Sequence, residues 1–206
     1  MSIIAPKPQT KEFEIVPSGT HIATCYSMIH IGTIEEEYMG EKKTNNKVKL
    51  AFEIPAEIRE YNGIELPMSI HKEYNLSMYE KSNLRKDLES WRGKGFTNDE
   101  ADNFDITNLL GVSCMISVVH KTSKKGTDYA VISTISPLMK GTQAPEQINS
   151  PFQFNYNDGF DTDWIEMQSE WMAERIKSSK EYQSKMNEHT GIAGVDNAIA
   201  DIDNPF

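Results

Sequence analysis

Residues 112–136, VSCMISVVHKTSKKGTDYAVISTIS, hold two runs of alternating apolar and small polar residues around a basic loop with a turn glycine, Gly126. Period-two alternation broken by such a loop predicts an antiparallel hairpin, with strands at 112–121 and 129–136. The elements before this hairpin decide the topology. Residues 20–34, THIATCYSMIHIGTI, read as one long strand in which Gly32 permits a bend or bulge. The polar stretch EEEYMGEKKTNN then reads as a loop, and Val48, Leu50, Phe52 and Ile54 alternate with Lys47, Lys49, Ala51 and Glu53 as a second strand. One face of that strand is core and the other cationic.

Asn62-Gly63 is a turn pair, and residues 66–76, LPMSIHKEYNL, follow as a third strand. Ser77 and Glu80 have capping-box spacing, and Leu84, Leu88 and Trp91 recur at helical spacing up to Gly93. A second capping box, Thr97 and Glu100, opens a shorter helical segment through about Leu110. Three strands, a helical connection and two strands is the order of the OB-fold, a five-stranded Greek-key barrel with its helix between strands three and four. The expected class is therefore mainly β with helices (α+β), a closed barrel over residues 1–140, with a mixed α+β sandwich as the alternative.

Beyond Pro137 the composition turns to Pro, Asn, Gln and Asp, which predicts a linker. Within residues 141–186 one short amphipathic helix, about 162–177, is expected, with Trp164, Met167 or Gln168, and Trp171 on one face and Met172 and Ile176 beside it. Packing on its own barrel is favoured over a partner contact. Residues 187–206 read as a disordered acidic tail.

The net charge of −10 argues against a nucleic-acid partner until its distribution is examined. Residues 1–144 carry 17 Lys and Arg against 19 Asp and Glu, whereas residues 145–206 carry 4 against 12. The acidity belongs to the C-terminal third, and mean hydropathy of −0.55 agrees that part of the chain is not packed. Cys25 and Cys114 stand alone in apolar segments and read as reduced core thiols. With no basic, apolar-cored leader and no stretch near the ~20 apolar residues of a membrane span, a cytoplasmic location and no membrane partner are expected.

An OB-fold binds extended strands across its second and third strands, between the loop joining the first two strands and the loop joining the last two. Lys42, Lys43, Lys47 and Lys49 lie in and after the first of these loops, Lys72 on the third strand, and Lys121, Lys124 and Lys125 around the last. Each lysine alone reads as a solvated residue; their confinement to the frame of one groove points to phosphates. Tyr38, Tyr74, Tyr79 and Tyr129 interleave with them as candidate base-stacking rings, although a strand tyrosine is more often core or rim. Arg85 and Lys86 on the helix are second-tier candidates, and Trp91 is expected in the core. His21, His30, His71 and His120 sit singly in strands.

The segment KEYNLSMYEKSNLRKDLESWRGKGFT, residues 72–97, resembles a stretch in phage-encoded single-stranded DNA-binding proteins of about this length. That resemblance implies phage replication or recombination in the cytoplasm of a bacterial host. The last six residues, Asp201, Ile202, Asp203, Asn204, Pro205 and Phe206, are similar to the acidic Pro-Phe tip of bacterial single-stranded DNA-binding proteins, which docks replication and repair proteins. The expected partners are therefore single-stranded DNA and, through the tip, replication or recombination proteins, with homo-oligomerisation left open.

Enzyme motifs are lacking: Gly93-Lys94-Gly95 does not have P-loop spacing, and neither HExxH nor paired cysteines occur. Asp158, Asp161 and Asp163 fail the EF-hand offsets, so no metal site and no cofactor are expected. A non-enzymatic binder is expected; a protein-interaction module or DNA mimic is the alternative, and a metal-dependent nuclease the weaker one.

Overall fold

In this computed structural model the description covers residues 14–158 and 160–189. The chain is mainly β with some helices: strands β1 (Gly19–Tyr38), β2 (Glu41–Tyr61), β3 (Ile64–Asn75), β4 (Ser113–Thr122), β5 (Asp128–Ser136) and β6 (Phe152–Phe154) form one sheet. Helices α1 (Asn83–Arg92) and α2 (Asn98–Asp102) lie between β3 and β4, while α3 (Thr162–Glu166), α4 (Glu170–Lys177) and α5 (Lys180–His189) follow β6. The antiparallel path runs β3-β2-β1-β4-β5 and curls into a half-barrel, with β6 added parallel to β1. Among the described residues no ladder joins β3 to β5, so the closed ring expected from element order is instead an open curl with α1 packed on both end strands.

The stretch expected as a loop after the first strand is a β-ribbon. β1 continues to Tyr38 and β2 begins at Glu41, turning through Met39 and Gly40 with φ of 54° and 80°. Two successive positive φ values are those of a type I′ turn, whose twist suits a two-residue hairpin. Asn62 and Gly63, at 51° and 82°, make the second such turn, as expected from that pair. Register shifts at Cys25/Ser27, His30/Gly32 and Ile54/Ile58 bend the long strands and allow the curl.

Two cores lie on opposite faces of β1. Ala23, Cys25 and Met28 face the interior of the half-barrel with Val48, Leu50, Phe52 and Ile54 of β2, Ile116 and Ile135, and α1 covers them with Leu84, Leu88 and Trp91. Ile29, Ile31 and Ile34 face the other way and pack with Phe154, Ile165, Met172 and Ile176. A strand buried on both faces explains why IHIGTI is nearly continuous in apolar residues. Burial raises both thiols well above their ordinary range, Cys25 to about 12.

Helix α1 is capped by Ser82, whose hydroxyl accepts from Arg85 N at 3.2 Å, and not by Ser77. It ends at left-handed Gly93, and Thr97 with Glu100 closes the expected reciprocal box at α2. The expected helical run to Leu110 is interrupted, leaving a separate 3-10 turn at Ile106–Leu109.

The C-terminal segment differs most from expectation. Phe152–Phe154, placed by composition in the linker, pairs with Ser27, Met28 and Ile29. The expected single helix is broken between Glu166 and Glu170, so Met167 and Trp171 stay exposed while Ile165, Met172 and Ile176 are buried. The helices pack on their own sheet, and α5 is a further helix that composition did not suggest. The crossover from β5 is tied down by Glu53, whose carboxylate accepts from Ile148 N (2.7 Å), Asn149 N (2.8 Å) and Asn149 Nδ2 (2.7 Å).

Candidate nucleic-acid interface

On the outer face of the sheet, β2 presents Lys47, Lys49, Ala51 and Glu53 opposite Asn75, Glu73, His71 and Ser69 of β3. Inward residues Leu50 and Phe52 fill the core, so parity sends these polar side chains out. The distal half of this face is covered: Arg175 of α4 reaches Glu73 and Glu36, and Lys47 pairs with Glu36 at 2.8 Å. The proximal half opens into a cleft of about 500 Å3 lined by Tyr26, Arg59, Tyr61, Ser69 and His71, with Ala130 of β5 on its far side.

This cleft brings aromatic rings together with one arginine, and Glu14 also stands in its lining. Tyr61 is 56 % exposed and Tyr26 partly so, giving aromatic rings. Arg59 makes no ion pair with a described residue, donating only to Glu14 O at 3.4 Å. Lys49 lies one register step from His71; burial lowers its pKa, with Glu73 opposing that shift and Arg175 adding to it. Desolvation and then the Lys49 charge hold the His71 imidazole below its ordinary 6.5, against a smaller opposing effect of Glu73. His71 is therefore neutral at pH 7.

The sequence-predicted residues divide sharply. Lys49 does not line the cleft but lies near enough to its His71 to lower the pKa of that imidazole, and Lys121, Lys124, Lys125 and Tyr129 are exposed on the β4–β5 hairpin, whose base adjoins the cleft through Ala130. None of these three hairpin lysines pairs with a described carboxylate. Lys86 and Tyr79 are exposed near α1, away from the outer row. Lys42 and Lys43 lie on the ribbon, not in a loop, and pair with Glu35 (2.7 Å) and Glu41 (3.2 Å). With Glu36 and Glu37 beside them, the ribbon is not a cationic surface.

Three candidates are corrected by the packing. Tyr74 is 3 % exposed, and its hydroxyl donates to Asp87 at 2.8 Å, so no base reaches its ring. Burial and then Asp87 raise its pKa far above the ordinary range. Lys72 pairs with that same Asp87 at 2.6 Å and braces β3 against α1. Arg85 is buried, donating to Phe96 O, Met78 O and Glu89, and so organises the end of α1. Tyr38 ends β1, but its side chain, like Asp201 through Phe206, lies outside the described residues.

Tyr26, Arg59 and Tyr61 were missed by the sequence reading. Tyr26 sits in the β1 bulge and Arg59 and Tyr61 follow the β2 register shift, so simple alternation does not place them. A second cleft, about 620 Å3, lies under α1 and α2 against Trp91, Phe96 and Phe104, but its Arg92 is engaged by Glu100 at 3.1 Å and by the Phe96 ring. Among the described residues no helix is long and apolar enough to cross a membrane, and no group of three His, Cys, Asp or Glu is placed to hold a metal.

No protein-family model matches this chain, and no curated protein matches it.

Proposed function

We propose that this protein is a non-enzymatic, sequence-nonspecific binder of single-stranded DNA, and that its half-barrel is an OB-like Greek-key barrel used across β2 and β3. The observation that carries the reading is the open cleft at those strands, where Tyr26, Tyr61 and His71 offer rings beside Arg59, with Lys49 close enough to His71 to act on its charge. Rings stack on any base and cations attract any phosphate chain, so the pairing binds without reading sequence. The β4–β5 hairpin, with Lys121, Lys124 and Lys125, extends the positive border.

The resemblance of residues 72–97 suggests a phage replication or recombination setting in a bacterial cytoplasm, and Asp201–Phe206 a docking peptide for replication or recombination proteins. Both rest on sequence. The second reading, a protein-binding module or DNA mimic, is favoured by the acidic ribbon of Glu35, Glu36, Glu37 and Glu41.

Fluorescence anisotropy with a labelled thymidine oligonucleotide, titrated over a range of salt, tests the reading. Affinity is expected to fall with salt at a log-log slope of about −0.7 per phosphate contacted, and a duplex competitor is expected to bind more weakly. No binding at low salt overturns the reading in favour of the mimic, and cleavage of the strand with magnesium overturns it in favour of a nuclease.

A further inference from the structure

The three tryptophans have different environments. Trp91 is buried in the first core, and Trp164 stacks on Phe154 at 4.6 Å within the second. Trp171 is 59 % exposed, a large amphipathic ring open to solvent. It is also held in place. The Arg175 guanidinium lies over the indole at 4.5 Å, and Arg175 is itself anchored to Glu73 and Glu36.

Those anchors place the indole beside the row proposed to hold the strand. Glu73 stands opposite Lys49 in the β2–β3 register, and Lys47 reaches both Glu36 and Glu73. Lys47 and Arg175 are paired with Glu36 and Glu73 there, and Glu170 and Glu174 flank the indole on α4, so the cation left without a salt bridge to a described carboxylate is Lys49. An aromatic face near such a cation suits a nucleobase whose phosphate lies on Lys49.

We propose that Trp171 is a base-stacking residue, contributed by the C-terminal segment, that extends the strand-binding face beyond the β2–β3 cleft. The proposal rests on the single-stranded DNA reading and adds a contact that the barrel alone does not supply. It implies that a bound strand runs from Tyr61 and His71 past Lys49 towards α4. The guanidinium stack reduces the motion of the indole before binding, so less freedom is lost when a base arrives.

The test is a titration of the full chain with unlabelled oligothymidine, followed by tryptophan emission, in parallel with anisotropy of a labelled oligothymidine. The wild-type emission is expected to be quenched on binding, and Trp171→Phe to lose most of that quenching while keeping affinity within about threefold. Trp171→Ala is expected to bind about tenfold more weakly, with an unchanged thermal midpoint because the ring is outside both cores. Quenching that persists in Trp171→Phe, or wild-type affinity in Trp171→Ala, overturns the assignment and leaves the binding reading standing. A wild-type protein that binds no strand at low salt overturns both.

Discussion

Arg175 of α4 grips Glu73 of β3 with both arms, Nη1 to Oε2 at 2.5 Å and Nη2 to Oε1 at 2.8 Å, across 102 positions of the chain. The pair fastens the C-terminal helices to the sheet at the point where the outer face passes from covered to open. Burial pushes the Glu73 carboxyl up, but the hydrogen bonds and charge of Arg175, with Lys47, outweigh it and leave the pKa below the ordinary 4.5. A carboxyl depressed in the folded state contributes stability in full above its unfolded value and loses it as pH falls through the folded one. The protection of α4 amides, corrected for the intrinsic exchange rate, is therefore expected to fall below about pH 4.5, before that of the strand cores. Arg175→Ala is expected to cost about 2 kcal/mol in urea unfolding, between the limits for exposed and buried pairs, and to blunt this acid response. An unchanged urea midpoint contradicts the clamp.

Glu53 is fully buried and meets three N–H donors of Ile148 and Asn149, with no basic partner among the described residues. Glu53→Ala leaves those donors without their acceptor and is expected to cost about 2 kcal/mol. Glu53→Gln retains an acceptor and is expected to recover about half of that. Equal stability of the two variants, measured by chemical denaturation, counts against the carboxylate as the tie for the crossover.

Gly32 has φ of +97°, and a Cβ there lies 2.7 Å from Ser179 Cβ. Ser179 is itself fixed, its hydroxyl donating to Ile176 O at 2.7 Å. Gly32→Ala combines a strained backbone with overpacking against Ser179, just before α5, and Glu181 within it, and is expected to destabilise by about 3 kcal/mol. Thermal unfolding checks this; a wild-type midpoint contradicts the tight packing of Ser179 on Gly32.

His71 bears on binding through its charge. Its pKa lies below 6.5, so acidification below that value adds a cation to the cleft. Affinity for oligothymidine is expected to rise as pH is lowered through the range below 6.5, and His71→Gln to abolish the rise. A pH profile identical in the two proteins removes His71 from the interface.

Arg59 and Tyr61 test the cleft directly. Arg59→Ala is expected to lower the magnitude of the salt slope by about 0.7, and Tyr61→Ala to weaken binding by about 1–3 kcal/mol with the slope retained. Neither residue belongs to a core, so both variants are expected to melt near wild type. Two variants with the same salt slope defeat the assignment of separate phosphate and base contacts.

Much of the half-barrel was legible because its elements obey local rules. Val48, Leu50, Phe52 and Ile54 alternate and are buried, Trp91 sits at helical spacing in the core, and Thr97 with Glu100 caps where expected. The same parity argues that Tyr74, in step with Met68 and Ile70, belongs inside; the lysine beside it in that register, Lys72, disguised this, since its partner Asp87 is remote in sequence. The ribbon was read as a loop because its charges are paired strand to strand, as in Lys42 with Glu35, and such pairing is invisible without the register. β6 is three residues long and exists through tertiary pairing to β1, so no local pattern announces it. The helix face was misassigned because the break before Glu170 resets the periodicity, bringing Met172 and Ile176 inward instead of Trp171.

β1 borrows its last neighbours from far down the chain: Tyr156 donates to Ile31 O across 125 positions. At a synthesis rate of about 5–20 residues per second, that interval corresponds to about 6 to 25 seconds on the ribosome. Through that time Ile29, Ile31 and Ile34 form an apolar strand face awaiting its cover, and the edge at Ser27–Ile29 is open to any other strand that comes near. The nascent chain is thus most exposed to mispairing while its first half is already built and the segment that covers it is still being made.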